Sequence, residues 1–136
     1  MPTSPIVTFT HTEKKTVKDS STVINGTVTL LLNASSIGEA LYSYDSGTTH
    51  GEIDCIRIYL YRRDRGYGRA LFNKTISLLH NLGATYIFWN AYQIDDISLP
   101  NLVTFYNKCG GIVEKEFIDP DDGFLKIRMS YGINKK

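Results

Sequence analysis

Two glycines and three arginines stand where they could hold a diphosphate. In Arg63-Asp64-Arg65-Gly66-Tyr67-Gly68-Arg69 a basic glycine turn follows an apolar run and opens a helical pattern. The first N–H groups of such a helix have no internal partner, and the helix dipole adds partial positive charge there. Gly66 and Gly68 carry no side chain to hold a phosphate away. Arg63, Arg65 and Arg69 add charge around it. A dinucleotide fingerprint would need Gly or Ala where Leu71 stands, and a P-loop would need Gly-Lys-Ser/Thr after its second glycine. Neither is present. The pattern Arg-x-x-Gly-x-Gly at 63–68 therefore predicts a diphosphate-bearing ligand held mostly by main chain.

The elements that would position this turn are legible on both sides of it. Glu52 to Tyr61 reads as a strand running into the turn. From Gly66 the period changes: Ala70, Leu71, Ile76, Leu78, Leu79 and Leu82 recur at helical spacing, and Gly83 stops the helix. Ala84 to Tyr92 is β-branched and aromatic, hence a buried strand. The unit from 52 to 92 is a β-α-β crossover with two parallel strands. Ser98 is placed as the N-cap of a helix reaching about Cys109, with Gly110-Gly111 as its stop. Ile112 to Phe117 and Phe124 to Tyr131 read as closing strands around the turn Asp119-Pro120-Asp121-Asp122-Gly123. Upstream, Thr22 to Ile24, Asn25-Gly26 and Thr27 to Leu32 carry a hairpin signal, because Asn-Gly supplies the positive φ angles of a two-residue turn. Ile37 to Tyr44 is a further strand, ended by Asp45-Ser46-Gly47. The expectation is a mixed, mostly antiparallel sheet (α+β, with a central parallel β-α-β unit) in a single domain over residues 1–136.

The chain of 136 residues is long enough for a real core. Its net charge of +1 argues against a general nucleic-acid or membrane electrostatic role. No apolar run reaches the roughly 18 residues of a membrane span. The start Met1-Pro2-Thr3-Ser4-Pro5 lacks the basic and apolar regions of a secretory signal, so the expected location is cytoplasmic. Cys55 and Cys109 form no disulfide framework or metal set, and read as free buried thiols. None of the three histidines is given a role, since a lone histidine is more often structural.

The run Arg65-Gly66-Tyr67-Gly68 resembles the acyl-CoA-binding motif of the GNAT superfamily of N-acetyltransferases, closest to its histone-acetyltransferase branch. A second element follows in the right order: Phe105-Tyr106-Asn107-Lys108-Cys109-Gly110-Gly111 is similar to the family's F/L-Y-x-K-x-G-F segment. The resemblance covers about residues 36–131, with 1–35 as short N-terminal strands or a hairpin. It implies a GNAT-like fold, acetyl-CoA as co-substrate, no metal, and transfer to an amine in a ternary complex without an acyl-enzyme. Cys55 and Cys109 have no convincing His partner for nucleophilic work. The pyrophosphate would sit on the N–H groups from Arg65 through Gly66, Tyr67 and Gly68 to Arg69. Ile58, Tyr59 and Leu60 would offer main-chain groups to the pantetheine arm. An alkylammonium is almost fully charged at pH 7, so a base is needed. Glu52 lies at the offset where the family carries its glutamate base, acting directly or through water, and Asp54 is its rival. Period-two alternation puts both acids on one face with Ile56 and Ile58, unless a bulge resets it. Tyr106 falls on the family's tyrosine, the acid that reprotonates the departing thiolate. Lys108 could reach a CoA phosphate, and Asp95 and Asp96 could attract a cationic amine at the acceptor mouth.

The chain departs from the family pattern at its beginning. The family places two helices between its first two strands, where they wall the acceptor site, and no amphipathic helix pattern is present here. An open acceptor side points to a protein or peptide amine, or to a homodimer that completes the wall; small amines remain open. Gly111 replaces the family's aromatic and predicts looser packing at the helix end. The rival class is a GNAT-like module that binds acyl-CoA or a peptide without turnover.

Overall fold

The computed structural model describes residues 6–58, 66–92 and 97–132. The strand order is β1 (Val7–Lys18), β2 (Ser21–Leu32), β3 (Ser35–Asp45), β4 (His50–Ile58), β5 (Tyr86–Ala91), β6 (Gly111–Ile118) and β7 (Leu125–Tyr131). Helix α1 (Tyr67–Leu82) connects β4 to β5, and α2 (Leu99–Lys108) connects β5 to β6. All seven strands join one sheet in the order β1-β2-β3-β4-β5-β7-β6. Pairing is antiparallel throughout, except for the parallel β4–β5 pair at the centre. The expected mixed sheet around a β-α-β unit is therefore the observed one.

Helix α1 forms where the 3.6-residue period predicts it. Leu71, Phe72, Thr75, Ile76 and Leu79 are its buried stripe. Leu71, Phe72 and Leu79 are fully buried, and each such side chain contributes about 1.5–3 kcal/mol. Thr75 is tolerated there because its hydroxyl donates to the Leu71 carbonyl oxygen at 2.8 Å. Gly83 ends the helix at φ 111°, in the left-handed region. In α2 the Ser98 side chain accepts from the Asn101 N–H, as expected of the cap. Both helices lie on one face of the sheet, since the ring of Phe72 on α1 is 6.0 Å from that of Tyr106 on α2. Their shared partner on the sheet is Trp89, 5.1 Å from Phe72 and 5.3 Å from Tyr106. Among the described residues no helix covers the other face.

The N-terminal part corrects the sequence reading. Asn25-Gly26 is not a turn: β2 runs through it without a break, and Gly26 pairs with Glu13 on β1 and Tyr42 on β3. A Cβ on Gly26 would overlap the Tyr42 ring, with Cε1 at 2.6 Å. The ring uses that gap to carry its hydroxyl to Glu13, donating to Oε2 at 2.8 Å. Glycine stands here for close packing rather than for positive φ. The hairpin turn lies instead between Lys18 and Ser21, with Asp19 at φ 56°. The β2–β3 turn uses Asn33 and Ala34 at φ 51° and 70°, the angles of a type I′ turn. The strand β1 has no apolar alternation to reveal it: only Phe9 is half-buried and the rest is exposed. Its lysines, Lys14, Lys15 and Lys18, guard an open sheet edge.

Candidate active site

The parallel pair β4–β5 is short. His50, Gly51, Glu52 and Ile53 pair with Tyr86, Ile87, Phe88 and Trp89, and no rung follows Ile53–Trp89. Beyond that rung β4 continues along β3 to Ile58, while β5 continues along β7 to Ala91. The two strands part and leave a cleft, walled by Asp54 and Cys55 on β4, Asn90 and Ala91 on β5, and Leu102 and Tyr106 on α2.

The helix start aims at the β4 side of this opening. Gly66 caps α1 at φ 79°, with no side-chain cap bond and no acidic residue in the first turn. A Cβ built on Gly66 would meet nothing within 4 Å. Among the described residues no side chain caps the first-turn donors, and an anion is the ligand a helix start favours. Gly68 lies against Phe105 of α2 and Ile58 of β4, so the helix start, the strand end and the second helix meet at one place. Tyr67 is half-buried and Arg69 is exposed in this turn. Tyr59, Leu60, Arg63 and Arg65, and also Asp95 and Asp96, lie outside the described residues.

Tyr106 is brought to the cleft, buried against Phe72, Trp89 and Phe105. Burial first, then the neighbouring Cys55, Cys109 and Tyr92, push its phenol well above the ordinary value. It stays a neutral donor at any physiological pH. Trp89 shares the cleft wall, and its indole Nε1 is buried with no hydrogen-bond partner. An orphaned buried donor costs about 1–3 kcal/mol. Neither cysteine is in a disulfide; Cys109 is buried and Cys55 is half-buried on the cleft wall.

A bulge decides where the two acids go. Tyr42 pairs with Ile53 and Leu41 with Cys55, which makes Asp54 the extra residue. The alternation is reset. Ile56 and Ile58, paired with Ala40 and Gly38, face the helices and Gly68, whereas Glu52, paired with Ser43 and Phe88, faces the helix-free side. Glu52 is not on the cleft wall; Asp54 is. Burial raises the Glu52 carboxyl, opposed by the charge of Arg128. Arg128 itself donates to Asn90 Oδ1 and lies over the Phe88 ring at 4.6 Å. Asp54 is pushed up to about 6, by burial first and then by the charge of Glu52. Tyr106 and Glu52 thus stand on opposite faces of the sheet, with Glu52 on the rung before the strands part.

Gly111 corrects a second expectation. A Cβ there would lie 2.7 Å from Trp89 Cζ2 and 2.9 Å from the Tyr106 carbonyl oxygen. The helix end is tight, because the room of the expected aromatic is taken by Trp89.

The fold as a whole matches many solved structures. One is a protein described as a GNAT-family acetyltransferase from Desulfovibrio desulfuricans: TM-score 0.67, 20% identity, covering 78% of this chain and 67% of that one. The chain has the GNAT fold. It departs from the family pattern at its beginning, where the β1–β2 hairpin takes the place of the two expected helices. A protein described as a streptothricin acetyltransferase from Bacillus anthracis, solved with acetyl coenzyme A, matches at TM-score 0.65 and 15% identity. That match covers 78% of this chain and 61% of the other. A nourseothricin acetyltransferase matches at 0.65 and 15%, covering 91% and 85%. The chain thus spans 61% to 85% of the length of these three structures. No family model and no curated protein matches the sequence.

Proposed function

We propose that this chain is an acetyl-CoA-dependent N-acetyltransferase that transfers acetyl directly to a primary amine. The observation that carries the reading is the parting of β4 from β5 beyond Ile53–Trp89, beside the uncapped start of α1 and with Tyr106 on the cleft wall. The diphosphate would take the N–H groups at Gly66, Tyr67, Gly68 and Arg69, with Arg63 and Arg65 adding charge. The pantetheine arm would run beside Ile58, Tyr59 and Leu60. The orphaned Trp89 N–H fits an amide or thioester carbonyl there. The base comes from the pair Glu52 and Asp54, with Asp54 on the wall itself and Glu52 working through a water. Tyr106, held protonated by burial, donates to the departing thiolate.

The test is release of free CoA thiol from acetyl-CoA with a panel of primary amines, in wild type and Tyr106→Phe. The reading predicts amine-dependent release, lowered at least tenfold in the variant, with acetyl-CoA affinity nearly unchanged. Tight acetyl-CoA binding without turnover of any amine would make the chain a binding module. Equal rates in the two proteins would remove Tyr106 from the mechanism.

A further inference from the structure

The face of the sheet without helices is not featureless. A depression of about 320 Å³ opens over the first three strands and reaches β4. It is lined by Thr12 and Lys14 of β1, Asn25 and Thr27 of β2, Leu41 of β3 and Asp54 of β4. The register explains the grouping. Thr12, Thr27 and Leu41 form one row across the sheet, ending at Cys55 beside the Asp54 bulge. Lys14, Asn25 and Ser43 form the next row, ending at Glu52. Among the described residues Asp54 is the only one common to this depression and to the cleft between β4 and β5.

We propose that this depression is the acceptor site, and that it takes a small, polar, cationic amine whose nitrogen meets Asp54. The inference rests on the acetyl-transfer reading and adds the place and class of the acceptor. The volume is at the low end for small-molecule sites. The rows of side chains on this face hold the Thr12 and Thr27 hydroxyls, the Asn25 amide, the Lys14 ammonium, the Asp54 carboxylate and the apolar Leu41, while Glu13, Gly26 and Tyr42 complete the lining. A hydroxylated amine of amino-alcohol to amino-sugar size therefore finds a carboxylate for its charge and hydroxyl and amide partners for its oxygens, which an apolar amine of equal size does not use. The depression is walled by the β1–β2 hairpin, which stands in the chain where the fold family's two helices are expected. In the reaction an ammonium gives one proton to the Asp54 carboxylate. The freed nitrogen forms the C–N bond at the thioester carbonyl as the C–S bond breaks. The thiolate takes a proton from Tyr106, and the second proton that the nitrogen sheds as the amide forms restores the Tyr106 phenol. The products are the N-acetyl amine and CoA, and Asp54 returns its proton to solvent.

The test combines an acceptor panel with variants that fill the depression. The panel holds hydroxylated small amines (ethanolamine, 2-amino-1,3-propanediol, glucosamine), apolar amines of equal size, and lysine peptides. Products are read by mass spectrometry, and acetyl-CoA affinity is read separately by calorimetry. The expected result is a kcat/KM at least tenfold higher for the hydroxylated amines. Thr27→Trp should raise their KM at least tenfold while the acetyl-CoA dissociation constant stays within twofold. Should Thr27→Trp fail to fold, Thr12→Trp on the edge strand obstructs the same depression. Preference for peptides or apolar amines, or an unchanged KM in a folded filling variant, overturns the acceptor assignment alone. Absence of acetyl-CoA binding overturns the reading beneath it.

Discussion

The contact between Gly26 and Tyr42 yields a quantitative prediction. Adding one methyl at Gly26 places Cβ inside the Tyr42 ring, which is 1% exposed and cannot swing into solvent without leaving the core. Overpacking of this kind costs about 1–3 kcal/mol. Displacing the ring also breaks its bond to Glu13, a further loss of about 1 kcal/mol for a half-exposed pair. Gly26→Ala should therefore destabilise by about 2–4 kcal/mol. At roughly 2.1 cal/mol/K of unfolding entropy per residue, a chain of 136 residues moves about 3.5 °C per kcal/mol. The expected fall in Tm is about 7–14 °C. A double-mutant cycle isolates the cause. In a Tyr42→Ala background the clash is gone, and Gly26→Ala should cost less than about 1 kcal/mol. Urea unfolding of the four proteins measures the coupling. Equal costs in the two backgrounds would refute the close-packing account and restore a backbone role for Gly26.

Asp54→Asn should leave stability unchanged near pH 4 and raise it above pH 6. The folded value of about 6 exceeds the ordinary 3.8, so the penalty on the ionised carboxyl is absent below the unfolded value and complete above the folded one. Chemical denaturation from pH 4 to 8 checks it, and a variant less stable at pH 8 would contradict the placement beside Glu52. Gly111→Ala should lower Tm by about 4–10 °C, because Trp89 and the Tyr106 carbonyl leave no room; an unchanged melting curve would mean the helix end is loose.

What the sequence showed plainly was what local chemistry dictates. Ser98, Gly83 and Gly110 mark helix ends because each supplies a cap or a positive φ that its neighbours cannot. The β-α-β unit was visible because apolar spacing changes from two to 3.6 at Gly66. The failures were non-local. Asn25-Gly26 carries a turn signal, and a tyrosine from another strand overrides it. The strand β1 is held by main-chain pairing to β2 rather than by burial, so its Thr/Lys sequence has no face to read. At the candidate site, the start of α1 and a tyrosine on the cleft wall are where the motifs put Gly66 and Tyr106. The bulge at Asp54, which separates Glu52 from the cleft, is set by the pairing of β4 with β3 and leaves no trace in β4 itself. Trp89 was missed for a related reason: only the packed helices make its N–H an orphan.

The most direct test of the central claim is thermal unfolding with and without acetyl-CoA, in wild type and in Arg65→Glu/Arg69→Glu. At about 100 times its dissociation constant the ligand should add roughly 2.7 kcal/mol, or about 9 °C for this chain. The account predicts that shift in the wild type and its loss in the charge-reversed variant. No shift in the wild type, or an equal shift in both, would contradict the placement of the diphosphate at the start of α1.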